Sequence, residues 1–455
     1  MLKKYGMLIL LILFFCNPSY SKQKEYYIKC KIDNYKDYKN AYLYNYYWGK
    51  YNLIDTAKVI NGEFEFRLAT DSPVGVYKIR ISPDKVIENI IFNNEDIELT
   101  ADYKNLTETL EFQKSQENKI YLLYNNYLNR EKNRDKALNY LLTFYQEEDT
   151  FYKNIQDEFK KIRENNRLVI NQLMNDNKNL IVTKLIKYEQ LPYPENDSTL
   201  SIIQFLYEHF WDNFDFNDTL LLYSPILDSK INDYFTLYEN ASLSRDEQEE
   251  NFKIPADKLL KITQNNDKIF NFIVEKILND SETFGLLNLY QYVADKILSD
   301  ITCVDESQIQ EIQNKSIKLS HLTVGNTAID FEITKEIKLS DIKSDFTLLI
   351  FWDSQCPHCF KTLSELKSFY NEAKKRNFEI VGVSNDTSSV ELKKAIIERG
   401  YKWFNVCDFK GWQSTLFKKY NILATPTMFL LDKNKKIISR PINAKQVIDK
   451  IKKAG

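Results

Sequence analysis

Phe351-Trp352-Asp353-Ser354-Gln355-Cys356-Pro357-His358-Cys359 is the stretch on which the reading of this chain turns. The apolar run Phe346 to Phe351 leads into it, and a helix-like run, Lys361 to Lys374, follows. A strand thus hands a Cys-x-x-Cys to the first turn of a helix, the arrangement thiol–disulfide chemistry needs. The unsatisfied N–H groups and positive dipole end of a helix N-terminus favour a thiolate over a thiol. Pro357 costs no donor in a first turn, and His358 adds a second positive influence once protonated. The two-residue spacer lets Cys359 reach Cys356 and close a disulfide with little loop entropy. Cys356 and Cys359 are therefore expected to form a redox-active pair, tuned by Pro357 and His358.

Other uses of such a pair fit the context less well. A zinc site would need a second pair of ligands, and the sequence holds no second Cys-x-x-Cys and no His-x-x-x-His. His209 and His321 lie far away in unrelated patterns. A structural pair of buried cysteines is the other alternative, for which Pro-His at a helix start is an odd choice. Neither a metal nor an organic cofactor is expected.

A second signal lies well downstream. Residues Asn421 to Thr427 read Asn-Ile-Leu-Ala-Thr-Pro-Thr, then comes strand-like Met428-Phe429-Leu430-Leu431 and a turn at Asp432-Lys433-Asn434. A proline before a strand can be a plain entry residue. Here the cysteine pair, the Thr-Pro and the following hairpin stand in the order and spacing of a thioredoxin domain. Residues 320–455 resemble a thioredoxin-fold domain of the TlpA/ResA disulfide-reductase group. The resemblance implies that Pro426 is cis and faces the cysteine pair. It further implies that the Thr425 backbone pairs with an extended substrate peptide during mixed-disulfide formation. Trp352 matches the family's aromatic residue four positions before the first cysteine and would pack beside the site. Trp352, Thr425 and Pro426 are thus the expected substrate-binding residues.

The remainder of the domain alternates strand and helix, which argues for an α/β sandwich about a central sheet. Phe378 to Ser384 reads as a parallel-type strand, and Ser389 to Arg399 as an amphipathic helix stopped by Gly400. Trp403 to Cys407 reads as a further strand, Trp412 to Lys419 as a short helix, Ile437 to Ser439 as the last strand and Ala444 to Lys452 as the closing helix.

Three positions depart from the family pattern. Ile350 stands where thioredoxins carry a buried acid, Thr362 where the ResA type has a glutamate, and Ser364 where a helix-kinking proline is usual. A buried carboxylate would accept the proton of Cys359, so its absence leaves that base unassigned. The Pro-His spacer is the one found in DsbA, a strong oxidant, whereas the domain otherwise resembles reductases.

The N-terminus sets the compartment. Lys3 and Lys4 precede the apolar run Met7 to Cys16, and Ser19-Tyr20-Ser21 supplies small residues at a cleavage site. Residues 1–21 are expected to be a signal peptide, since a spanning helix needs about 20 apolar residues. Retention as a short membrane anchor is the alternative; Cys16 follows bulky Phe15, a poor context for lipid attachment. The protein is thus placed in the periplasm or cell envelope. There it would need an external electron source to stay reduced, such as a membrane thiol carrier.

The whole chain has 455 residues, enough for two or three domains, and is 43% hydrophobic and 28% charged, which suits globular cores. Its net charge of −2, which becomes −4 once Lys3 and Lys4 leave with the leader, gives no basic excess for nucleic acid. Only 10 Gly and 10 Pro point to long regular elements, and the 30 Tyr to half-buried packing.

Residues 23–113 are strand-rich. Tyr26 to Ile32, Ala41 to Tyr44 and Glu63 to Arg67 alternate in polarity, and Asn61-Gly62 behind Val59-Ile60 signals a hairpin. Tyr77 to Ile81, Ile87 to Phe92 and Ile97 to Ala101 complete what reads as a small antiparallel sandwich. It resembles the β-domain that often precedes thioredoxin domains in exported proteins of Bacteroidetes-type bacteria. Residues 115–300 carry apolar residues at three- and four-residue steps and read as a helical domain. Within it, His209-Phe210-Trp211 resembles a recurrent segment of the helical insert in such modular proteins. His209 with its nearby acids is read as a helix-surface or core histidine rather than a ligand. Asp305 to Leu319 is expected to be a linker. Cys30 and Cys303 could pair, and Cys407 reads as a core residue.

The sequence therefore predicts a multidomain α+β protein: antiparallel β-sandwich, helical middle domain and C-terminal thioredoxin fold. The expected activity is thiol–disulfide exchange on protein thiols and disulfides, as a reductase or isomerase. The alternative is a partner-binding exported protein whose thioredoxin domain is a vestigial scaffold. A peroxiredoxin would carry a threonine three residues before its reactive cysteine, where this chain has Asp353.

Overall fold

The computed structural model describes residues 25–36, 38–194, 202–299 and 306–453. The expected leader, Cys16 and Cys303 lie outside the described residues. The chain divides into two compact units at Lys187/Tyr188, and the helices between 115 and 300 contribute to both.

The first unit opens with strands β1 (Glu25–Asp33), β2 (Asn40–Tyr47), β3 (Lys50–Lys58), β4 (Glu63–Ala69), β5 (Gly75–Ser82), β6 (Lys85–Phe92) and β7 (Ile97–Asp102). A short helix α1 (Leu106–Thr109) and strand β8 (Glu111–Lys114) follow. These form two four-stranded sheets, ordered β4-β1-β7-β8 and β3-β2-β5-β6. Alternation places Ile28, Cys30 and Ile32 of β1, and Phe64, Phe66 and Leu68 of β4, in one core with Leu43, Ile79 and Ile87 of the other sheet. The sandwich departs from the expected one in two ways. β1 pairs parallel with β7, so it is not wholly antiparallel. Asn61-Gly62 does form a tight turn, with φ of 52° and 80°, but only Ile60 and Glu63 bridge across it. β3 and β4 then part to different sheets, because β4 pairs with β1 and β3 with β2. A polarity pattern gives the face of a strand but not its partner. The unit continues with two long helices, α2 (Gln116–Leu142) and α3 (Thr150–Asp176).

Helix α4 (Val182–Glu189) spans the division. The second unit then runs through α5 (Ile202–His209), α6 (Ile226–Thr236), α7 (Arg245–Thr263), α8 (Asp267–Thr283), α9 (Leu287–Ser299) and α10 (Glu306–Ser320). The segment expected as a linker is, from Glu306 on, the helix α10. Its Ile312, Ser316 and Leu319 recur at steps of four and three and bury one face, and Ser316 accepts from Gln291 of α9 at 2.7 Å.

The C-terminal part is a thioredoxin-like fold. It comprises β9 (Phe346–Trp352), α11 (Pro357–Ala373), β10 (Phe378–Ser384), α12 (Ser389–Arg399), β11 (Phe404–Val406), α13 (Thr415–Lys419), β12 (Thr427–Asp432), β13 (Ile437–Ser439) and α14 (Ala444–Lys453). The sheet order is β11-β10-β9-β12-β13, with β10 parallel and β12 antiparallel to β9. Central β9 is buried on both faces, as a continuous apolar run requires. Leu348, Ile350 and Trp352 pack toward Leu363, Leu366 and Phe369 of α11, while Phe351 points the other way, edge-on to Phe417 of α13. The carboxyl end of β9 is thereby fixed as the launching point of α11.

Candidate active site

Cys356 is the N-cap of α11, and Pro357 occupies its first turn. The Cys356 sulfur takes the place of a capping oxygen and accepts from the Cys359 N–H at 3.3 Å. The Cys356 thiol also donates to the carbonyl oxygen of Thr425 at 3.5 Å. That contact brings the two sequence-distant motifs together, and the Thr425–Pro426 peptide is cis. Both cysteines are free thiols.

Their environments differ. Cys356 is half-buried, whereas Cys359 is fully buried among Trp352, Leu363 and Tyr401. Burial, reinforced by contact with the Cys356 sulfur, pushes the Cys359 thiol up to about 12. An accessible thiol capping a helix, beside a sealed and protonated one, supplies an attacking and a resolving group within one turn.

Pro357 and His358 are exposed, and Thr425 and Pro426 are half-buried beside the pair. Trp352 differs from the expectation that it binds substrate. Its side chain is 0% exposed and packs edge-on against Tyr401, so it lies in the core beneath the motif. The reason is its place as the last residue of β9, where alternation turns it toward α11. Ile350 and Thr362 are also buried and bring no carboxylate to Cys359. His209 lies on the surface of α5, stacked on Phe205 and 2.8 Å from Asp212. Cys30 is core, and Cys407 is half-buried just past β11, donating to the Asp386 carbonyl at 3.2 Å.

Asp386 is a site feature that the sequence reading passed over. Its carboxylate is buried at the end of β10 and accepts from the Ser354 N–H at 3.2 Å and from the hydroxyls of Ser354 and Ser384. It thus ties the loop two residues before Cys356 to the neighbouring strand. A polar Ser-Asn-Asp run closing an apolar parallel strand was the available signal, since sites gather at the carboxyl ends of such strands.

The chain is similar to several known proteins and families. Residues 324–440 match the AhpC/TSA family, residues 26–121 a domain of unknown function (DUF4369) and residues 187–299 another (DUF5106). The thiol–disulfide oxidoreductase ResA of Bacillus thuringiensis is 30% identical over 125 residues, covering 27% of this chain and 70% of that protein. The sporulation thiol–disulfide oxidoreductase A of Bacillus subtilis is 33% identical over 112 residues, covering 23% and 66%. Among solved structures, a thioredoxin-like protein from Bacteroides caccae matches with a TM-score of 0.44 at 18% identity, over 58% of this chain and 99% of that one.

Proposed function

We propose that this chain, which belongs to the ResA/TlpA-like thiol–disulfide oxidoreductase family, reduces or isomerises disulfides of exported proteins through Cys356 and Cys359. The observation that carries the reading is the asymmetry of the pair: Cys356 half-open at the helix cap, Cys359 sealed one turn below. The Cys356 thiolate attacks one sulfur of a substrate disulfide and expels the other as a thiolate, which takes up a proton. Cys359 then loses its proton and attacks the Cys356 sulfur, releasing the second substrate thiol. Two electrons have passed to the substrate, and the chain holds the Cys356–Cys359 disulfide. The Thr425 backbone would align the substrate peptide next to Cys356.

Turnover as a reductase needs re-reduction, for which a membrane thiol carrier in the cell envelope is the proposed donor. Residues 1–21 would direct export to that compartment. The test is reduction of insulin by the dithiol form of the full chain. Wild-type protein should precipitate the insulin B chain, and Cys356→Ser should not. Equal activity of the two would overturn the role given to Cys356.

A further inference from the structure

A groove of about 530 Å³ opens directly beside Cys356 and Thr425. Its floor and walls come from the loop before α11, the end of β10, the first turn of α12 and the turn before α13. Three carboxylates line it, Asp353, Asp386 and Glu391, against one ammonium, Lys410. All three acids are held in place, Asp386 by Ser354 and Ser384. Asp353 accepts from the Gln355 N–H at 2.7 Å and from the Asn385 amide at 3.3 Å, and Glu391 accepts from the Gln355 amide at 2.9 Å.

A further feature points to what such a groove receives. Trp412, in the lining, is 49% exposed. Fixed carboxylates beside a half-exposed indole match a guanidinium, which carries five donors, pairs with carboxylates and stacks on indole.

Resting on the reading of Cys356 as the attacking thiol, we propose that this groove selects disulfide substrates whose reactive cysteine is flanked by arginine. The arginine side chain lies in the groove while the cysteine meets Cys356. Acidic segments are turned away by the same carboxylates.

Three model disulfide peptides, identical except for Arg, Gln or Glu beside the cysteine, test this against the reduced full chain. Mixed-disulfide formation at low salt is followed by stopped flow. The Arg peptide should react several-fold faster than the Gln peptide and the Glu peptide slower, with the spread shrinking as salt rises. Glu391→Gln should cut the Arg-to-Glu rate ratio roughly threefold, the scale of one exposed ion pair. Lys410→Gln should move the ratio the opposite way. Both positions are exposed, so folding is not at stake. Equal rates for the three peptides, or a ratio unmoved by both substitutions, would overturn the selectivity alone. Failure of the wild type to react even with uncharged hydroxyethyl disulfide would overturn the underlying assignment of Cys356.

Discussion

The Cys356 sulfur accepts from the backbone N–H of Cys359 at 3.3 Å, so each cysteine of the pair is held by the other's place in the first turn of α11. That contact joins an accessible thiol to a fully buried one. Of the pair, Cys356 is the thiol that attack from outside can reach, and Cys359 is placed to attack Cys356 from within. The two steps of exchange are thus divided by burial rather than by residue type.

The division predicts a trapping asymmetry. Cys359→Ser should accumulate mixed disulfides between Cys356 and substrate proteins, stable to washing and released by dithiothreitol. Cys356→Ser should accumulate none. Mass spectrometry of the captured species would locate the linkage. Equal trapping by the two single variants would reverse the assignment.

The buried thiol predicts a pH dependence for the second step. Burial pushes Cys359 up to about 12, so near neutral pH it is almost wholly protonated. Its attack requires the thiolate, whose fraction rises about tenfold per pH unit below that value. A mixed disulfide of Cys356 with thionitrobenzoate should therefore release the dye faster as pH increases, with no plateau through pH about 9. A plateau near neutrality would show that some group accepts the Cys359 proton, in the role for which Ile350 and Thr362 supply no carboxylate.

Legibility followed the range of the interactions. The bounds of β10 and α12 could be read locally, because an apolar run needs only its neighbours and Gly400, at φ 66°, closes α12 in the left-handed conformation. The thioredoxin-like fold followed from such local elements in family order. The parallel pairing of β1 with β7, the helical state of α10 and the burial of Trp352 were not read. Each is decided by a partner distant in sequence, as is the tie between Ser354 and Asp386. Single-residue polarity does not encode those partners.

One long-range pair supports a stability prediction. Arg440, just past β13, lies 3.2 Å from Glu249 of α7, and their side chains are 2% and 0% exposed. Arg440 also donates to the Gly285 carbonyl at 2.5 Å, and Glu249 accepts from the Asn288 and Leu289 N–H groups at 2.5 and 2.9 Å. Arg440→Ala leaves a buried carboxylate without its counter-charge and should cost about 3–5 kcal/mol. Arg440→Met with Glu249→Leu should cost less than Arg440→Ala, because the pair's desolvation is removed with its attraction. Urea unfolding of the full chain followed by tryptophan fluorescence would measure both. A loss below about 1 kcal/mol for Arg440→Ala would show that the pair is not holding these elements together.

The spacer predicts the direction of the potential. His358 is exposed in the first turn of α11, next in sequence to Pro357 and Cys359 and two residues from Cys356. A protonated imidazole there favours the thiolate, and whatever stabilises the reduced form makes the disulfide more oxidising. His358→Gln should therefore make the potential more negative, by about 30 mV for a tenfold change in the equilibrium constant. The difference should shrink in high salt. Glutathione equilibration of the two proteins, read from the fraction of Cys356–Cys359 disulfide, gives both potentials. A shift of the opposite sign, or none at any pH, would mean that the helix cap alone sets the poise and that the Pro-His spacer does not tune it.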